Sequence, residues 1–378
     1  MCQDQAPGTA DPSLAPIPAE DVRGNMSAKK IGGDTASTAT GSGPDPAPGG
    51  ERVAVLLCGY GEVESNEDLA EYNAKSLRLL VSKSVRIPDS VVPFLSRRHA
   101  RRARAEYERA NLFVSPHNAI FERQRAGIAA ALRERYRDRV AVFTALNFCE
   151  GYLPEDVLPV IRAAGYERVV IYPLLVVDSV YTGGLSLEQV SKALGADGAW
   201  VRQIRYLPSF HDRPAYHERL AQHVRDGVAP LRDRYATTQI GVILLNHGCP
   251  YKAKGFETGI RESRSLYQAV SARLVHEFPT ISVGWMNHPT PGRWTQPDVL
   301  QAARNLMTLG AKALVFAPIG FVTENHETML DIGYTMEKLQ GEAEMLHLTS
   351  LNDDPAFLRM AADWIVPLID QAGGRASA

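Results

Sequence analysis

Two segments of this chain place proton-accepting and metal-binding side chains directly after apolar runs. The first is IGVILLNHGCP, where His247 is flanked by Asn246, Gly248 and Pro250 and has no helix to pack into. An imidazole there can exchange a proton near neutral pH or bind a metal ion, and a surface-loop histidine fits the position equally well. The second is APIGFVTENHETMLDIGYTMEKL, from Ala317 to Leu339, an apolar run that passes through Pro318 into a loop and then a helix. Thr323 is the expected N-cap, with His326 at the third helical position. Glu327 and Asp331 are spaced i, i+4 and share a helical face, and Glu324 extends that row. Three acids in one stripe repel unless a cation or protons sit among them, although acids near a helix start also complement its dipole. Imidazole from one strand end and carboxylates from another make a ligand set suited to transient handling of Fe2+, Zn2+ or Co2+.

Two further features admit two readings each. Tyr60, in the loop GYGEVES, is either an aromatic packed at a strand end or a phenol presented to a ligand and able to approach a metal. Arg97, Arg98, Arg101, Arg102 and Arg104 crowd the segment SRRHARRARAEYERA, as a solvated helix face or as a rim for a substrate bearing carboxylates. H-E-x-x-H, an EF-hand loop, a Walker A loop and G-x-G-x-x-G after the first strand are all missing, so neither a permanently held metal nor a dinucleotide is written in the motifs.

The elements that must position these groups alternate regularly. VAVLLC, VAVFTAL, RVVIYPLLVV, QIGVILLN, ISVGWM and KALVFAPI are short continuous apolar runs, the pattern of strands buried on both faces. Amphipathic helix-length stretches lie between them, so the fold is α/β with βαβ units on parallel sheets. VAVLLCGYGE and IGVILLNHGCP open two similar halves, which implies two Rossmann-like parallel-sheet halves with a cleft between them. The expected divisions are a disordered leader over 1–50, rich in Ala, Pro, Gly, Ser and Thr, an N-terminal half over 51–230 and a C-terminal half over 231–378.

Composition narrows the function further. The chain has 378 residues, and 41 Lys and Arg against 43 Asp and Glu give a net charge of -2, which supplies no field to hold a nucleic acid. Its 4 cysteines lack C-x-x-C spacing, so neither a disulfide framework nor a zinc knuckle is expected. No apolar run is long enough to span a bilayer, and no signal-peptide pattern opens the chain. A cytoplasmic location follows as the expectation, with room for a transient contact at a membrane surface.

The motifs resemble those of the ferrochelatase family. PIGFVTENHETMLD is similar to its signature, in which a Pro-x-x-Phe strand end precedes Ser-Asp-His-x-Glu-Thr/Val-Leu, and LLNHGCP resembles its Ser-Ala-His-Gly/Ser-Leu-Pro. VLLCGYGEVES, VSPHNAIFERQ, YPLLVVDSVYTGG, GRWTQPD and LNDDPAFLRMAADWI follow the family in order, from about residue 52 to 370. The resemblance implies a chelatase-type fold that inserts Fe2+ into coproporphyrin III or protoporphyrin IX in heme biosynthesis. It places catalysis on His247 and Glu327, metal contacts on these two with Asp331 and Tyr60, and substrate contacts on Tyr60, Ser115, Ser179, Trp294 and Arg293. It implies Fe2+ as substrate rather than a resident cofactor and, without the cysteine tail of some members, no iron-sulfur cluster. The Gly-Tyr-Gly form at Tyr60 resembles the coproporphyrin branch, and four propionates would use an arginine rim better than two. Asn325, His326, Gly333, Asn246 and Cys249 depart from the family pattern, as does NHPTPGR with its His288. Such departures also fit a non-catalytic tetrapyrrole carrier or regulator on the same fold. Oligomeric state is not written in the sequence.

Overall fold

A computed structural model describes residues 52–84, 86–110, 114–251, 257–288 and 292–373; the leader expected over 1–50 lies outside them. The chain opens with β1 (Val53–Gly59), buried at every position. There follow α1 (Leu69–Ser76), prolonged by a π-helical turn over Leu77–Val81, α2 (Val92–Arg109) and α3 (His117–Tyr136). Next come β2 (Val140–Leu146), α4 (Pro154–Ala163), β3 (Arg168–Pro173), α5 (Gly183–Leu194), β4 (Gln203–Tyr206) and α6 (Pro214–Arg232). The second series is β5 (Ile240–His247), α7 (Ile260–Leu274), β6 (Ile281–Met286), α8 (Val299–Thr308), β7 (Ala313–Pro318), α9 (His326–Lys338), β8 (Glu344–His347) and α10 (Pro355–Gly373).

The strands form two four-stranded parallel sheets, ordered β2-β1-β3-β4 and β6-β5-β7-β8. The second order is the first advanced by four strands, so the two halves have one plan. Apolar residues on both faces of each strand require cover on both sides, and helices supply it. Ala54, Leu56 and Ile171 pack with Leu158 and Ile161 of α4, while Ile243, Leu245 and Phe316 pack with Leu306 of α8 and Ile332 of α9. The opposite faces share one core, in which Leu57 and Val170 of the first sheet and Leu244 and Val315 of the second join through Phe121, Tyr216 and Phe357. Phe357 belongs to α10, which crosses back to pack on α3, so the end of the described chain closes the first half.

All six apolar runs are strands, and two strands lacked that signal. QIRY and EMLH are four-residue edge strands, half open to solvent, and carry no continuous apolar run. RVVIYPLLVV also stops early as a strand, at Pro173.

His347, at the end of β8, has its Nε2 buried without a hydrogen-bond partner, and burial lowers its pKa from 6.5 to about 4. Between those values the unfolded chain binds a proton that the folded chain does not, so stability falls as pH drops through that window and levels below it. His347→Gln is expected to be less acid-sensitive there, with its urea midpoint gaining on that of the parent as pH falls from 6.5 to about 4. Equal slopes in the two proteins would show that the ring is protonated without cost.

Candidate metal centre

β6, β5 and β7 are neighbours, so their carboxyl ends open on one edge of the second sheet, where open α/β sheets bind ligands. His247 is the last residue of β5, His288 lies two residues beyond β6, and Glu327 is the second residue of the helix after β7. The first two loops touch. The Gly248 N–H donates to the Met286 carbonyl at 2.8 Å. A Cβ at 248 would stand 2.1 Å from Asn287 Oδ1 and 2.6 Å from that carbonyl oxygen, so the approach requires glycine. Buried Thr295 stitches the loops further: its N–H donates to the Cys249 carbonyl at 3.0 Å, and its Oγ1 accepts the Cys249 N–H at 3.1 Å. Its own carbonyl accepts Asn287 Nδ2 at 2.8 Å.

The result is a convergence of three ligand atoms. His247 Nε2 and His288 Nε2 are 3.1 Å apart, and the Glu327 carboxylate reaches them at 3.5 and 3.4 Å respectively. Among the described residues this is the one group of three such side chains with ligand atoms mutually within 4.8 Å. The three side chains keep 45%, 40% and 32% of their surface exposed, so an ion and a substrate can reach them. His247 Nδ1–H donates to the Gly248 carbonyl at 2.7 Å, which in the neutral ring leaves the Nε2 lone pair aimed into the cluster. Two imidazoles and one carboxylate with open positions suit a first-row divalent ion.

Charge is concentrated on the pair of His247 and Glu327. Burial works to raise the Glu327 carboxyl, but the facing charges of His247 and His288 hold it at about 2. Desolvation lowers His247, yet the Glu327 charge and hydrogen bonds to Cys249 and Glu327 lift it well above the ordinary histidine range. At His288 desolvation prevails and its pKa is lowered. Asp331, one turn beyond Glu327, is pushed up to about 7 by burial and by the charges of Glu327 and Glu106. A divalent ion entering here would compete with a proton for His247.

The other residues singled out in the sequence are distributed around this cluster. Tyr60 follows β1; burial and then the charge of Glu327 raise its phenol, and its hydroxyl donates to the Tyr181 carbonyl. The Trp294 ring stands edge-on to His288 with centroids 5.8 Å apart, and its Nε1 is buried without a partner. Arg293 is exposed beside it. Ser115 and Ser179 are buried and committed to their own surroundings: Ser115 donates to Glu62, and Ser179 Oγ accepts the Tyr181 N–H at 3.1 Å.

Several expectations are corrected. The N-cap before Glu327 is Asn325, whose Oδ1 accepts the Thr328 N–H at 2.8 Å; Thr323 instead donates its hydroxyl to Gln124 Oε1 at 3.0 Å. Glu324 therefore precedes the helix and leaves the acidic row, and its carboxylate accepts the Ser350 N–H at 3.1 Å. On α2, Arg102 and Arg104 pair with Glu106 and Glu108 one turn on, both at 2.9 Å and exposed, the pattern of a solvated face. The groove between α3 and α10, lined by Ala131, Leu132 and Val366, is bordered by surface ion pairs such as Arg359 with Glu134.

His288 was not singled out as a ligand, because NHPTPGR has neither helical periodicity nor a ligand spacing to His247. A signal existed nonetheless: ILLNH and GWMNH are both apolar strands running into Asn-His.

His288→Ala is expected to weaken Co2+ binding about tenfold or more in an anaerobic titration. In the parent protein the affinity should fall as pH is lowered through the raised His247 pKa, since protons and the ion compete for one nitrogen. A pH-independent affinity unchanged in the variant would remove both imidazoles from the ligand set.

A family model described as ferrochelatase matches residues 52–367. The chain is 26% identical over 280 residues to the ferrochelatase of Geotalea daltonii, covering 73% of this chain and 84% of the relative. With the ferrochelatase of Geotalea uraniireducens it shares 26% identity over 326 residues, covering 83% and 97%. Among solved structures, SirB from Bacillus subtilis with Fe3+ has a TM-score of 0.50 at 10% identity, covering 86% of this chain and 98% of SirB, which is a likeness of fold. With a family match across nearly all of the described residues, the chain belongs to the ferrochelatase family and is a metal chelatase, an enzyme that inserts a metal ion into a tetrapyrrole.

Proposed function

We propose that this chelatase inserts Fe2+ into a porphyrin, releasing the ion to the ring from His247, His288 and Glu327. The observation that carries the proposal is the convergence of these three ligand atoms at adjacent strand ends. Insertion exchanges one divalent ion for two pyrrole N–H protons, so the site needs acceptors for both. As the ion leaves, its three ligands regain their lone pairs. His247, the more basic imidazole, takes the first proton. Asp331, with a pKa pushed up to about 7, lies next in the helical row and takes the second. Iron enters and remains Fe2+, so the exchange needs no electron carrier and no resident cofactor. Trp294 borders the ligand cluster and, with the exposed Arg293 next to it in the chain, is assigned to substrate contact, while Ser115 and Ser179 act through the loops they hold. The Gly59-Tyr60-Gly61 loop favours coproporphyrin III as the ring.

The test is anaerobic incubation with Fe2+ and, separately, coproporphyrin III and protoporphyrin IX, following loss of the free-base spectrum. Metallation is expected, faster with coproporphyrin III, and slowed about a hundredfold or more in His247→Ala and Glu327→Gln. A porphyrin spectrum that shifts on binding while no metal enters either ring would overturn the proposal in favour of a tetrapyrrole carrier.

A further inference from the structure

All three ligands come from the second half, yet the helix that carries Glu327 is gripped by the first. Along α9 the residues 326, 330 and 334 form one i, i+4 row, and Glu327 lies about 100° round the helix from it. His326 has its ring stacked on Tyr107 of α2, with centroids 4.0 Å apart and planes at 8°. Leu330 is buried. Tyr334 donates its hydroxyl to the Glu106 carbonyl at 3.3 Å and lies under Arg109, whose guanidinium carbon is 4.3 Å from the ring centroid.

The tightest of these contacts is made by Glu62, from the loop after β1. Its Oε2 accepts the His326 backbone N–H at 3.1 Å, lies 3.3 Å from His326 Nδ1 and accepts the Ser115 hydroxyl. Only 13% of the Glu62 side chain is exposed, and 8% of the His326 side chain. Glu62 is itself held on both sides of its Cα. Its N–H donates to Asn118 Oδ1 at 2.9 Å, and its carbonyl accepts Asn118 Nδ2 at 2.7 Å and Cys149 Sγ at 3.3 Å. The first-turn N–H groups of a helix have no partner within it, and a carboxylate from elsewhere in the fold that answers one fixes where the helix begins. The fixed N–H belongs to the residue directly before Glu327. A shift of α9 away from β5 and β6 would lengthen both carboxylate contacts to the imidazoles, at 3.5 and 3.4 Å.

We propose that Glu62 is a positioning residue for metal transfer, holding the start of α9 from the opposite half so that the Glu327 carboxylate reaches His247 and His288 together. The inference rests on the proposed metal-transfer role of that cluster. Glu62→Ala is expected to lower kcat for metallation about tenfold or more and to weaken Co2+ binding in parallel, with the porphyrin KM within about twofold of the parent. Glu62→Gln retains one acceptor oxygen for the His326 N–H and should recover most of both losses. Should Glu62→Ala fail to fold, Ser115→Ala, which leaves Glu62 but removes the hydroxyl orienting it, is expected to lower kcat and Co2+ affinity together. Parent values of kcat and Co2+ affinity in the folded variants would overturn the proposal, as would a loss confined to thermal stability. Failure of the underlying reading is distinguishable, because the parent protein would then neither bind Co2+ nor metallate a porphyrin.

Discussion

Two imidazole nitrogens and a carboxylate are brought together in this protein by the order of its strands. Parallel strands in register end on a common edge, and β6, β5 and β7 turn that regularity into a ligand set. The arrangement is electrostatically demanding, because the Glu327 carboxylate faces both imidazoles at 3.5 and 3.4 Å, raising the pKa of His247 while desolvation keeps that of His288 low. A chelatase needs ligands strong enough to take an aquated ion and basic enough to accept protons when the ion departs. A low carboxyl pKa beside a raised imidazole pKa is the combination that the proposed role of Glu327 and His247 calls for.

The two halves share a strand order and divide the labour. The second provides His247, His288 and Glu327, whereas the first supplies Tyr60, Tyr72 and Tyr107, phenols raised first by burial and also by the Glu327 charge. A common core through Phe121, Tyr216 and Phe357 keeps the halves in a fixed relation. Rigidity at that level matters because the carboxylate contacts at the cluster are ion pairs of 3.4 and 3.5 Å, sensitive to small displacements of α9.

Much of this was legible in the sequence where one physical rule acts alone. Uniform apolar runs announced six strands, since a strand covered on both faces has no polar positions. His247 and Glu327 stood out as polar groups placed straight after such runs or at the helix beyond one, and resemblance to the ferrochelatase family gave them roles. What was hidden depended on tertiary placement. QIRY and EMLH take their strand character from the edges of sheets already formed. Glu324 matched the i, i-3 spacing to Glu327, but the capping bond of Asn325 starts the helix two residues after Glu324, whose carboxylate turns to Ser350. His288 belongs to a loop 41 residues from His247, and only the neighbouring positions of β5 and β6 bring them together.

The most direct test of the shared ligand set is X-ray absorption of the Co2+-loaded protein. Scattering from two imidazoles with an oxygen donor, falling to one imidazole in either His→Ala variant, is the result expected of His247, His288 and Glu327 acting as one site. A spectrum of oxygen donors alone, unchanged by either substitution, would contradict it.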